Sequence, residues 1–296
     1  MKIIITGSLG HISKPLAQQL LQKGNDVTII SSNAAKQKDI EAMGATAAVG
    51  SIEDPSFLTT IFTGADIVYC MEPPVNFFDA GLDYIHYYNR IGLAYKEAIL
   101  RSGVKKIIHL SSIGAHMPQG NGLLQFHYNV EQLFNSLPEE VAITFMRPVG
   151  FYYNLFSFIP VIKATGAIAT NYGTAKEPWV APIDIAEAIT EEMELIDTGR
   201  KIRYVASDEL TGDELASILG KAIGKPELQW KIIPGEDVLK NLTAIGINPG
   251  IAKAVVEMNA ARNNELYKDY FNNPPVLSKT KATAFAKEFA AVYNQQ

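Results

Sequence analysis

The chain has 296 residues, 47% of them hydrophobic and 19% charged, which suits a globular protein of one large or two unequal domains. A net charge of −5 with scattered lysines and arginines excludes the basic stripe of a nucleic-acid binder. The single cysteine, Cys70, excludes an internal disulfide framework, and its apolar neighbours Val68, Tyr69 and Met71 place it in a core.

The chain opens on a short apolar run, Lys2-Ile3-Ile4-Ile5-Thr6, then Gly7-Ser8-Leu9-Gly10 and a stretch of helical spacing to Lys23. That order reads as buried strand, tight glycine turn and helix. Gly7 permits the sharp exit and Gly10 lets the backbone approach a phosphate. The helix directs its unpaired N–H groups and positive dipole end at that phosphate. Ser13 takes the third small position. Gly7, Ser8, Leu9, Gly10, His11 and Ile12 are therefore candidate dinucleotide ligands. The initial apolar run is too short for a secretory signal, and Phe151–Ile162 is too short and polar to span a bilayer. The expectation is a cytoplasmic protein without membrane contact.

A second strand, Asp26–Ile30, ends at Ser31-Ser32-Asn33, with Lys36 just beyond. An NAD-preferring site ends this strand on an acid that bonds the ribose hydroxyls. Hydroxyls, an amide and a lysine instead suit a 2′-phosphate, so Ser31, Ser32, Asn33 and Lys36 point to NADP(H) in preference to NAD(H). The same three residues also suit a cap on the helix at Ala34. A third strand, Thr46–Val49, is followed by Ser51 and Ile52, expected beside the adenine. After a helix over Pro55–Phe62, a fourth strand, Asp66–Cys70, leads to Met71, Glu72 and Pro73, expected beside ribose and phosphates. A helix from about Asp83 to Ser102 stops at Gly103, and a fifth strand, Lys106–Leu110, runs into Ser111 and Ser112.

These motifs, with His127 and Glu131, Met146-Arg147-Pro148-Val149-Gly150-Phe151 and Val180–Ala186, resemble the NmrA-like group of atypical short-chain dehydrogenases/reductases. The resemblance covers Met1 to about Ala206, and the tail is compatible with it. It implies an α/β fold, a doubly wound parallel Rossmann sheet with a smaller, mostly helical C-terminal substrate lobe. It implies an NAD(P)-binding domain over 1–150, completed by about 176–206, and a lobe from 151–175 and 207–296. The group includes quinone reductases, isoflavone-reductase-like enzymes and redox-sensing regulators.

Short-chain dehydrogenases use a serine, a tyrosine and a lysine one helical turn from the tyrosine. Ser111 or Ser112 meets the serine position. Tyr128 has Gln132 at the lysine spacing, and no lysine lies between Lys106 and Lys163. A tyrosine without a nearby cation is a poor acid–base group. Alcohol dehydrogenation and sugar epimerisation are therefore disfavoured, whereas hydride transfer to an electron-poor acceptor is not. His127 and Glu131 share a helical face, and the quinone-reductase branch carries such a pair. His127 is expected to hold the nicotinamide or donate a proton, with Glu131 orienting it. The candidate catalytic set is thus His127, Glu131, Ser111 and Tyr128, and no metal site is assigned.

A sixth strand, Val141–Met146, is followed by an aromatic cluster, of which Phe151 and Tyr152 are expected at the nicotinamide face. The stretch Trp179–Ala186 is read as the start of the next helix, with Asp184 as cap or first-turn acid. A strand over Ile202–Ala206, a helix over Thr211–Ile223, a strand over Leu228–Ile233 and helices near 236–245, 249–271 and 279–293 complete the reading. The functional expectation is an NADPH-dependent reductase of a quinone or small conjugated carbonyl, its substrate flat and apolar, acting as monomer or homodimer. A non-catalytic NADP(H)-binding regulator is the alternative, and an epimerase-like enzyme the third.

Overall fold

The computed structural model describes residues 1–196 and 198–295. Six strands alternate with helices: β1 (Lys2–Ile5), β2 (Asp26–Ser31), β3 (Thr46–Val49), β4 (Ile67–Cys70), β5 (Lys106–Leu110) and β6 (Ala142–Pro148). Between them lie α1 (Ser13–Gln22), α2 (Gln37–Ala42), α3 (Pro55–Phe62), α4 (Tyr84–Ser102) and α5 (Gln125–Asn135). The chain then leaves through β7 (Gly150–Phe151), a 3-10 segment Tyr152–Phe158, α6 (Ile159–Thr165), β8 (Ala167–Thr170) and β9 (Glu177–Val180). It returns through α7 (Pro182–Glu194) to β10 (Arg200–Val205). The remainder is β11 (Asp208–Leu210), α8 (Gly212–Ala222), β12 (Gln229–Ile232), α9 (Gly235–Ala244), α10 (Pro249–Ala261), α11 (Lys268–Asn272) and α12 (Ala282–Gln295).

Seven strands form one sheet in the order β3-β2-β1-β4-β5-β6-β10, every neighbour parallel. Alternate residues feed the two faces. Ile3, Ile5, Ile29 and Ile108 pack with Leu16 and Leu20 of α1 and Ile185 and Ile189 of α7. Ile4, Ile30, Val68 and Ile107 pack with Phe62 of α3, Tyr95 of α4 and Phe134 of α5. Burial on both faces is why these strands read as unbroken apolar runs. The winding reverses between β1 and β4, and a crevice at the carboxyl ends of strands at such a reversal is the ligand position of this architecture.

A further apolar core gathers Tyr152, Leu155 and Ile159, Trp179, Leu215 and Leu219 of α8, and Phe285 and Phe289 of α12. Two small sheets accompany it, β11-β9-β7 and β12-β8.

Three expectations for the tail need correction. The helix expected over 249–271 is two helices, because Arg262 turns inward to pair with Glu177 and Leu266 enters the core under the main sheet. Trp179 and Val180 belong to strand β9, and α7 starts at Pro182. The last helix starts at Ala282, since Thr280 and Lys281 are spent on anchoring. Thr280 donates through N and Oγ1 to Asp184, and Lys281 Nζ donates to the Ser207 carbonyl. Among the described residues no helix is long and apolar enough to cross a membrane.

Candidate functional site

The site begins where β1 gives way to the glycine turn. Gly7 sits at φ +86°, and a Cβ there would lie 2.6 Å from Ser13 Oγ and 2.8 Å from Met71 Sδ. Only glycine fits. Ser8 follows at φ +53°, donating its N–H to the Ile30 carbonyl, so the loop is folded against the end of β2. Ser13 Oγ donates to the Thr6 carbonyl at 2.9 Å, which brings α1 close to the sheet. No side chain caps α1, and no acid lies in its first turn. Its positive end thus faces the crevice without competition from a carboxylate.

Ser31 does not present itself to a ligand. It is buried, accepts from Ser8 Oγ at 2.9 Å and bonds Asn33, so it fastens the glycine loop to the β2 tip. Ser32, Asn33 and Lys36 are exposed. Asn33 Oδ1 also caps the next turn through Ala35 N at 2.9 Å, so capping and exposure coexist there. Ser51 is exposed and Ile52 half-buried at the end of β3.

The turn after β4 is held at three points. Met71 N donates to Thr6 Oγ1 at 2.9 Å, Tyr95 OH to the Met71 carbonyl at 2.7 Å, and Tyr88 OH to the Pro73 carbonyl at 3.0 Å. Glu72 departs from expectation. Its carboxylate is wholly buried and lies 3.1 Å from His109 Nε2, so it is not open to a ligand. A carboxylate facing a diphosphate would repel it; pairing with an imidazole removes it from that position.

Of the four candidate catalytic residues, the structure joins Ser111 and Glu131. Ser111 Oγ donates to Glu131 Oε1 at 2.5 Å. Glu131 is occupied further by Arg147, through Nε at 2.9 Å and Nη2 at 2.6 Å. Arg147 Nη1 reaches Tyr204 OH at 3.1 Å and Asp269 Oδ2 at 3.2 Å. Glu131 therefore does not orient His127, contrary to the sequence expectation, because the buried guanidinium claims both its oxygens. His127 is half-buried, its Nδ1 is enclosed without a partner, and its ring lies 3.9 Å from that of Phe126. Burial, then nearby His109, holds the His127 imidazole well below its ordinary pKa, so it stays neutral at neutral pH. Tyr128 lines a cavity of about 240 Å³ between α5 and the β6–β10 edge, with His116, Gln132, Arg147 and Arg200. Gln132 stands at the lysine spacing from Tyr128, and Lys201 also lines this cavity. Ser112 is half-buried at the end of β5.

Of the aromatic cluster, Phe151 is half-buried and packs at the edge of the core under the sheet. Tyr152 needs correction: it is fully buried in the third core, stacked on Phe285 at 5.3 Å, with its hydroxyl donating to Asp208 at 2.7 Å. Its neighbour Tyr153 faces the glycine loop instead, its ring stacked on His11 at 5.0 Å. Sequence reasoning missed Tyr153 and the role of Arg147. A buried arginine at a strand end implies a carboxylate partner, and that signal was available for Arg147. Among the described residues no group of three His, Cys, Asp or Glu could hold a metal.

A parallel sheet with this winding, a glycine turn that admits no side chain and an uncapped first helix defines a dinucleotide-binding α/β protein. The chain belongs to the NmrA-like family, whose model matches residues 1–292. It is 24% identical over 296 residues to an NAD(P)H azoreductase of Xenophilus azovorans, covering 98% of this chain and 97% of that one. It superimposes on an NADPH-dependent quinone oxidoreductase of Escherichia coli, complexed with NADPH, with a TM-score of 0.78 at 19% identity, covering 97% and 99% of the two chains. A nucleoside-diphosphate-sugar epimerase of Staphylococcus aureus matches with the same TM-score at 16% identity, covering 97% and 100%.

Proposed function

We propose that this chain is an NADPH-dependent reductase that passes hydride to a quinone or similar flat, conjugated acceptor. The observation that carries the reading is the glycine cradle. Gly7 leaves no room for a side chain and α1 opens uncapped beside it, which fits a diphosphate. Ser8, Leu9, Gly10, His11 and Ile12 would hold that diphosphate. Ser32, Asn33 and Lys36, with no acid among them, would hold a 2′-phosphate. Ser51 and Ile52 would flank the adenine, Met71 and Pro73 the ribose and phosphates, and Ser112 and Phe151 the nicotinamide end. The azoreductase and quinone-oxidoreductase relatives support the reductase class and the choice of dinucleotide.

The bound cofactor supplies hydride. The chain's own residues bind and orient; they are poorly equipped to deliver a proton. The Ser111 proton is directed at Glu131 and His127 resists protonation. That pattern suits acceptors that take hydride readily and collect their proton from water. It leaves epimerase chemistry without its acid–base pair.

A second reading is a dinucleotide-binding regulator that does not turn over. One observation favours it: Ser111 and Glu131 are held in a buried network with Arg147. Following NADPH oxidation at 340 nm across a panel of quinones and azo dyes separates the two. Turnover with at least one flat acceptor is expected. Tight NADPH binding with no turnover on the whole panel overturns the reductase and leaves the regulator.

A further inference from the structure

We propose that His11 and Tyr153 form a clasp over the cofactor crevice that sets how fast a bound dinucleotide leaves. The inference rests on the dinucleotide reading above and adds to it a residue, Tyr153, outside every glycine, strand-end or turn motif.

The two rings come from different parts of the chain, one from the glycine turn and one from the lobe. His11 follows Gly10 in the turn at the start of α1 and is exposed. Tyr153 lies one residue into the 3-10 segment that enters the lobe. The rings stack at 5.0 Å with 26° between their planes. Phe151 backs Tyr153 at 5.3 Å. Neither His11 nor Tyr153 belongs to any of the apolar cores, although their immediate neighbours do. Ile12 is buried in the core under the main sheet and Tyr152 in the lobe core.

Both rings are mounted on fixed backbone. On the sheet side, Ser13 Oγ is tied to the Thr6 carbonyl and Ile12 is packed. On the lobe side, β7 pairs with β9 through Gly150 and Phe151, and the Tyr152 hydroxyl is tied to Asp208. Side-chain rotation at His11 and Tyr153 opens the pair with both backbones left in place. A diphosphate seated on the glycine turn would be next to His11, and neither ring can swing away without giving up the stack. Losing an aromatic pair changes an opening rate by about threefold to tenfold.

The test is the release of NADPH, measured by stopped-flow fluorescence with excess NADP⁺ as chaser. The proteins are wild type, His11→Ala, Tyr153→Ala, the double variant and Tyr153→Phe, each checked by its melting temperature. Each alanine variant is expected to release NADPH about threefold to tenfold faster. The double variant should be no faster than the faster single one, since either change already breaks the pair. Tyr153→Phe keeps the ring and should restore the slow rate. Unchanged release rates, or effects that multiply in the double variant, overturn the clasp and leave the cofactor reading intact. Failure of the wild-type protein to bind either NADPH or NADH overturns the cofactor reading and the clasp together.

Discussion

Arg147 meets Glu131 through two parallel bonds, Nε to Oε1 at 2.9 Å and Nη2 to Oε2 at 2.6 Å, with both side chains almost fully buried. The pair joins the end of β6 to the middle of α5 and, through Asp269, to α11. Glu131 also accepts the hydrogen bond of the Ser111 hydroxyl. Ser111 and Glu131, two of the four residues read from sequence as catalytic, are held in this buried joint.

Removing one partner leaves an uncompensated buried charge. Arg147→Ala or Glu131→Ala is expected to destabilise the fold by about 3–5 kcal/mol. Replacing both, as in Glu131→Leu with Arg147→Met, is expected to cost less than the sum of the single changes. Urea denaturation of the four proteins measures this, and strict additivity would show that the two side chains do not depend on each other.

His127 gives a pH signature. Its native pKa lies well below the ordinary 6.5, mainly through burial. The unfolded chain therefore binds a proton that the native chain refuses, in the window from pH 6.5 down to the depressed native value. This contribution to stability is complete above pH 6.5 and is lost as the pH falls through that window. His127→Gln is expected to flatten the decline in melting temperature between pH 6.5 and 5. An equally steep decline in the variant would trace the effect to other groups. In single-turnover reduction, His127→Ala is expected to slow hydride transfer more than it weakens NADPH binding, and an unchanged rate would assign His127 to packing alone.

Gly7 is the least replaceable residue of the crevice. At φ +86° a side chain is strained, and its Cβ would strike Ser13 and Met71. Gly7→Ala is expected to lose about 1–3 kcal/mol from backbone conformation alone and to abolish NADPH binding. Calorimetric titration of a folded Gly7→Ala protein with wild-type affinity would refute the cradle.

Cofactor preference should be reversible at the β2 tip. NADPH is expected to bind more tightly than NADH. Ser32→Asp with Lys36→Glu supplies the missing acid and removes a cation, and should move the affinity ratio toward NADH by about tenfold or more. Intrinsic-fluorescence titration reads this directly, and a ratio unmoved by both changes would exclude this tip from 2′-phosphate recognition.

The parallel sheet was legible because its strands are buried on both faces. They appear as apolar runs between glycine stops and helix caps, and β3, α3 and β5 fall on the residues expected. The contrast between Tyr152 and Tyr153 was not legible. Adjacent tyrosines in a 3-10 turn point in different directions, and only the lobe packed around Tyr152 decides which one is core. Glu72 was misjudged for a related reason. Its position at a strand end suggests a ligand, while its buried partner His109 stands 37 residues away. The break at Arg262 depends on Glu177, 85 residues earlier, a pairing that helical periodicity does not encode.

The lobe core is stitched from stretches on either side of β10: Tyr152–Trp179 before it, α8 and α12 after it. On the ribosome, the main sheet has every one of its strands once β10 has emerged. The lobe lacks Phe285 and Phe289 until α12 follows. Synthesis thus passes through an interval in which a sheet with all its strands still lacks Leu266, Tyr267 and Tyr270 beneath it, and Tyr152 and Trp179 await their closing partners.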